Sequence, residues 1–267
     1  MLKRGIILIA LILSLSILFS GCLYVRIGDG NVIVGNGKMD KKTVTIESGV
    51  TGVDNRASID VVIDPELDGE AVIEAESNII DYVELKQNAS GSLTVDFKKS
   101  VNVTLSRGVT VRIPAVKGGT IAVNGSGNIT GNGLLESDAF DIRIMGSGDI
   151  SLKLAADHIT TEINGSGNVT LEADTGMLLV GVFGSGDILV KGTAQSLGVS
   201  VNGSGNFDAA GCAAESADVM VAGSGDISVN VSSELTGSIN GSGNVFYSGD
   251  PGTVSVTSDG SGDLIKR

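Results

Sequence analysis

The chain has 267 residues, 42% of them hydrophobic but only 3% aromatic and none Trp, so a core must be built from Val, Ile, Leu and Ala. Its 39 glycines against three prolines describe many tight turns in a folded chain, because disordered linkers are usually rich in both. One His and two Cys exclude a Cys/His zinc site, and a net charge of −13 argues against a nucleic-acid binder that tracks phosphates.

Lys3 and Arg4 precede an apolar run from Ile6 to Phe19, broken only by Ser14 and Ser16, so residues 1–21 read as a secretory signal. The stretch Phe19-Ser20-Gly21-Cys22 resembles the lipobox of lipoprotein signal peptides. That resemblance implies cleavage before Cys22, lipidation of its thiol and anchoring to the cell membrane or outer membrane. The alternative is an uncleaved anchor, since Gly5 to Val25 gives 21 residues and about 20 span a bilayer. Either way the rest of the chain is extracytoplasmic. With Cys22 lipidated, Cys212 has no internal disulfide partner, and between Gly211 and Ala213 it reads as a buried structural thiol. Cleavage leaves 16 basic and 31 acidic side chains, a balance of −15. Residues 22–42, with Gly28, Gly30, Gly35 and Gly37, read as a flexible tether.

Residues 43–117 predict an irregular β half. Val44–Ile46, Ile59–Ile63, Val72–Ala75, Val83–Leu85, Leu93–Phe97, Val101–Leu105 and Val109–Ile113 read as strands, with a turn at Asp64-Pro65.

Residues 118–267 are a repeat. Gly-Ser-Gly followed by Asn or Asp occurs eight times, at spacings of 18 to 21 residues. The glycine pairs are Gly125 and Gly127, Gly146 and Gly148, Gly165 and Gly167, Gly184 and Gly186, Gly203 and Gly205, Gly223 and Gly225, Gly241 and Gly243, and Gly260 and Gly262. Apolar residues alternate with polar ones on both sides, as in Val180 and Val182 before a motif and Ile188 and Val190 after it. Period two is strand, and a fixed period near 19 over eight copies is a solenoid. Each unit reads as strand, Gly-Ser-Gly corner, strand and loop, the glycines supplying positive φ and close backbone approach. The expected fold is all-β: a right-handed parallel β-helix or β-solenoid, with two sheets joined by Gly-Ser-Gly corners.

The residue after the motif alternates: Asn128, Asp149, Asn168, Asp187, Asn206, Asp226, Asn244, Asp263. Two geometries fit. A coil of about 19 residues would alternate Asn and Asp along one edge. Carboxylates would then stand ~9.6 Å apart instead of ~4.8 Å, saving on the order of 1.7 kcal/mol per neighbouring pair. A coil made of the 38-residue doublet would instead stack Asn on one corner and Asp on the other.

These residues resemble the family of the auto-transporter adhesin head GIN domain. The resemblance covers about Thr43 to Arg267: Ile59-Asp60-Val61-Val62-Ile63, Asn78-Ile79-Ile80-Asp81 and Gly91-Ser92-Leu93-Thr94-Val95 in the first half, then the eight corners. It implies a β-helical fold, an extracytoplasmic place and a role in adhesion, and it supplies no catalytic residues.

The candidate chemistry is sparse. Phosphate loops need a helix N-terminus after the glycines, and strands follow here. Asp149, Asp187, Asp226 and Asp263 offer calcium hard oxygen ligands, but one carboxylate per corner is few for a six- to eight-coordinate ion, so capping of the turn is the plainer reading. His158 is the sole imidazole and is assigned surface duty. From Gly118 onward five basic residues face 17 acids, a balance of −12 that repels anionic glycans and disfavours a lyase. Nine Asn-x-Ser/Thr sites, at Asn88, Asn102, Asn124, Asn128, Asn164, Asn168, Asn202, Asn230 and Asn240, allow glycosylation, but six lie in or beside the corners in register. The sequence therefore predicts a non-catalytic, cofactor-free module, anchored at the surface and presenting its β-helix to glycans or protein partners. A passive envelope scaffold or stalk and a polysaccharide-active enzyme are the alternatives.

Overall fold

The computed structural model describes residues 31–47 and 49–267. The proposed signal peptide and Cys22 lie outside the described residues. The first half contributes β1 (Asn31–Val34), β2 (Met39–Thr45), β3 (Gly52–Asn55), β4 (Asp60–Ile63), β5 (Glu70–Glu76), β6 (Val83–Gln87), β7 (Ser92–Phe97), β8 (Val101–Thr104) and β9 (Thr110–Ile113). The repeat half contributes β10 (Gly119–Val123), β11 (Ile129–Ile144), β12 (Ile150–Ile163), β13 (Val169–Val182), β14 (Ile188–Val201), β15 (Phe207–Val221), β16 (Ile227–Ile239), β17 (Val245–Ser248), β18 (Thr253–Ser258) and β19 (Leu264–Lys266).

The coil is the 19-residue unit, not the doublet. Val169 pairs with Ile150 on one side and Ile188 on the other, all in parallel. The expected loop between the two strands of a unit is absent. Each of β11 to β16 instead runs continuously for 13 to 16 residues around a bend. In β13 the inward residues are Val169, Leu171, Ala173 and Thr175, then Leu178, Val180 and Val182. The alternation slips by one at Gly176, where pairing skips a single residue. That slip keeps both arms facing inward after the chain has turned, which a straight period-two strand could not do. Stacked inward columns such as Ile129, Ile150, Val169, Ile188, Phe207, Ile227 and Val245 make the core. Burying each large aliphatic side chain is worth about 1.5–3 kcal/mol.

The first half continues the stack and then closes it. β10 pairs in parallel with β3 and β3 with β7, while β11 pairs with β4 and β4 with β9. Antiparallel strands then end both sheets: β6 on β7, and β5 on β9 with β2 outermost. The outermost edge strand β2 carries exposed Lys41 and Lys42, a device that blunts strand edges against pairing with other chains.

The expected tether is corrected from residue 31 onward. β1 pairs with β8 and β2 with β5, so Asn31–Lys42 belongs to the folded body. The fully buried Glu76 is the reason. Its carboxylate accepts from the backbone N–H groups of Gly37, Ser106 and Arg107 and from the Ser106 hydroxyl. A Cβ on Gly35 would stand 1.9 Å from Glu76 Oε2, so only glycine lets the chain wrap this close. The Ser106 hydroxyl, then the three backbone donors, hold the carboxyl below the usual value against an upward push from desolvation.

Candidate binding surfaces

The solenoid presents three surfaces: the corner edge, a trough beside the opposite bend, and a flat wall between them. On the corner edge the glycines are needed for stacking, not for backbone sign. None of the sixteen motif glycines has φ in the left-handed region, which corrects that expectation. What they need is space. A Cβ on Gly165 would lie 2.0 Å from the carbonyl oxygen of Gly146, and one on Gly167 equally close to that of Gly148. Each corner backbone rests directly on the corner before it.

The Asn and Asp residues form one ladder. Asn168 donates its backbone N–H and its Nδ2 to Asp149 Oδ1 at 2.7 and 3.0 Å. Asp187 then donates its backbone N–H to Asn168 Oδ1 at 3.0 Å. The same pattern runs on through Asn206, Asp226, Asn244 and Asp263. Asp is the better acceptor and Asn supplies the extra donor, so alternation gives Asp149, Asp187 and Asp226 two donors each and separates like charges. The calcium candidates Asp149, Asp187, Asp226 and Asp263 are therefore set two coils apart, and no two are brought together. The first rung escaped the sequence reading: Asn128 donates to Asp60 Oδ1 through N and Nδ2, both at 3.0 Å. Ala57-Ser58-Ile59-Asp60 is a corner without glycine, in register with Gly125-Ser126-Gly127-Asn128.

Beside the opposite bend runs a trough of about 690 Å³, which sequence reasoning also missed. Glu136, Asp138, Asp157, Asp174 and Glu215 line it with the hydroxyl-bearing Thr193, and no Lys or Arg does. Thr193 Oγ1 donates to Asp174 Oδ1 at 2.6 Å, so neighbouring coils fix each other's polar groups. The available signal was acidic or hydroxyl residues recurring midway between corners. Each comes from a separate coil or from the bend residue left unpaired, so the groups recur at about 4.8 Å along the axis.

The wall between trough and corner carries exposed apolar residues. Leu179, Phe183 and Met220 are 45%, 47% and 48% exposed, and they line a shallow cavity of about 400 Å³. His158 is exposed in β12, as the surface assignment requires. Cys212 is buried, and desolvation pushes its thiol pKa up, away from the thiolate that would react. Of the nine glycosylation-type sites, Asn124, Asn128, Asn164, Asn168 and Asn240 already donate through Nδ2. Among the described residues, no group of three His, Cys, Asp or Glu is arranged to hold a metal, and no helix is long and apolar enough to cross a membrane.

Solved structures share this architecture. A crystal structure named as a putative lipid binding protein from Parabacteroides distasonis is 25% identical, covering 89% of this chain and all of that one, with a TM-score of 0.80. A putative adhesin from Parabacteroides merdae is 23% identical over 88% of this chain and all of its own, with a TM-score of 0.79. A putative adhesin from Bacteroides fragilis, 22% identical over 88% of this chain and all of its own, has a TM-score of 0.66. At these lower identities the likeness shows the fold alone. No curated protein matches the sequence. Neither the family nor these neighbours are described as enzymes. Residues 49–251 match the family model described as "Putative auto-transporter adhesin, head GIN domain", and the chain belongs to that family.

Proposed function

We propose that this protein is a non-catalytic adhesion module, held at the outside of the cell by a lipid on Cys22, which binds an extended partner along its solenoid. The lipobox-like stretch and the apolar leader support the anchor. The adhesin description of the family supports the role. The observation that carries the reading is the trough, where carboxylates and hydroxyls from successive coils line one groove in two neighbouring columns. Such a groove suits a long ligand with hydroxyl or amine donors, because it offers many acceptors and no cation. It disfavours uronates and sulfated chains, which meet the −12 charge of the repeat half.

The test is a broad glycan and matrix-protein array probed with the detergent-solubilised full chain, with and without calcium. Selective binding that weakens in an Asp174→Ala, Thr193→Ala double variant supports the module. Binding that needs calcium would reassign the corner aspartates from caps to ligands. A blank array with a β-type circular dichroism spectrum would favour a passive scaffold. For the anchor, Cys22→Ala should release the protein from washed membranes, and full retention would contradict lipidation.

A further inference from the structure

The wall holds a second feature that the trough does not explain. Phe183 leans back over Gly181: a Cβ there would lie 2.7 Å from Cε2 and 3.3 Å from Cζ of the ring. Leu179 leans in the same way over Gly198, with Cδ2 2.8 Å from the corresponding position. Two glycines at outward positions thus make room for two large apolar side chains to lie against the sheet, still nearly half exposed. Met220, two coils beyond Gly181 in the same outward column, completes an apolar floor.

Polar groups flank this floor with their geometry already fixed. Glu162 Oε1 accepts from Asn164 Nδ2, and Asp218 Oδ1 accepts from Thr236 Oγ1 at 2.9 Å. Arg143 lies beside Glu162 in the neighbouring strand and is attracted to it, but its guanidinium bridges Asp141, so among the described residues Glu162 Oε2 and Asp218 Oδ2 accept no hydrogen bond. Both residues line the cavity, as does Ser200. The cavity has no Lys or Arg in its lining, and its volume falls within the ~300–1,000 Å³ of small-molecule sites. An apolar floor flanked by immobilised, unpaired acceptors matches a ligand with an apolar C–H face and a rim of hydroxyl donors.

We infer that this wall is a subsite for a neutral oligosaccharide, with Phe183 as the stacking platform and Glu162, Ser200 and Asp218 as the hydroxyl partners. A lipid chain would leave the carboxylates without donors, and an anionic sugar would be repelled by them. The inference rests on the adhesion reading and names its ligand class.

The experiment titrates the full chain in detergent with neutral and uronate-bearing oligosaccharides, alongside four variants. Phe183→Ala should weaken binding of a neutral oligosaccharide at least tenfold, and Phe183→Tyr should retain most of it. Glu162→Gln should weaken it several-fold, and Met145→Ala, exposed on the same wall but outside the cavity, should leave it unchanged. Saccharide binding undiminished in Phe183→Ala would overturn the subsite while leaving the adhesion reading intact. A wild-type chain that prefers uronates, or binds only lipid or protein, would overturn the ligand class. Loss of self-association with unchanged saccharide binding would make the wall a contact between copies and also overturn the subsite. No binding to any partner would defeat both this inference and the adhesion reading.

Discussion

The corner at Ala57–Asp60 and the corner stacked on it at Gly125–Asn128 occupy equivalent places, yet one has two glycines and the other none. The difference lies in what is underneath. Gly127 sits on the carbonyl of Ile59, 2.0 Å from where its Cβ would stand. Beneath Ile59 the stack is interrupted. Arg56 donates to the carbonyl of Val95 and Asp60 to that of Val109, and between those two acceptors the chain leaves to form β8. No corner lies there, so Ile59 carries a full side chain that is wholly buried in the core. Glycine in this fold is thus a consequence of having a coil below.

The sharpest way to break that comparison is to exchange the residue types. Gly127→Ala should destabilise the protein by about 3 kcal/mol or more, since the Cβ would meet the backbone of Ile59, which cannot swing aside as a side chain can. Ile59→Ala should cost about 2–5 kcal/mol by the opposite route, a cavity. Chemical denaturation checks both, and a tolerated Gly127→Ala would refute the stacking argument.

A second contrast concerns the buried polar groups of the two halves. Glu76, in the first half, is held by four donors, so its folded pKa lies below the unfolded value near 4.5. Its contribution is fully present above that value and is lost as pH falls through the folded pKa. The protection factors of the Gly37, Ser106 and Arg107 amides, taken against the intrinsic rate at each pH, should therefore fall in acid, and in Glu76→Gln already at neutral pH. Equal protection in wild type and variant would contradict the clamp. Thr161, in the repeat half, is also fully buried, but its hydroxyl has no partner. It sits in a column between Ile142 and Val180. Thr161→Val should stabilise the protein by about 1 kcal/mol, read as a shift in denaturation midpoint.

Much of the repeat half was legible because one signal was written eight times. Period-two alternation gave the strands, and the 19-residue spacing gave the repeat but left the coil open between one unit and the doublet, which the pairing of Val169 with Ile150 and Ile188 decides. The slip at the bend was not legible, because one skipped residue at Gly176 or Gln195 leaves no turn residue in common. The first half hid its corner for the reason above: without a coil beneath, Ala57 and Ile59 carry no glycine mark. The ordered segment from residue 31 was hidden by its own glycines. Gly35 and Gly37 read as a spacer, whereas Gly35 makes room for a carboxylate 41 residues on. The trough and the wall depend on which coils meet, so their residues gained meaning only once the register was fixed.

The ladder is where the account is most exposed. Asn168→Asp places a third carboxylate between Asp149 and Asp187 and removes the Nδ2 donor. Asp187→Asn keeps an acceptor oxygen for Asn206. Denaturation of the two variants at low and high salt is the decisive measurement. Asn168→Asp should lose about 2 kcal/mol at low salt and recover part of it at high salt, while Asp187→Asn stays within about 0.5 kcal/mol of wild type. Equal losses in both variants, or none in Asn168→Asp, would contradict a ladder that holds its register by alternating charge.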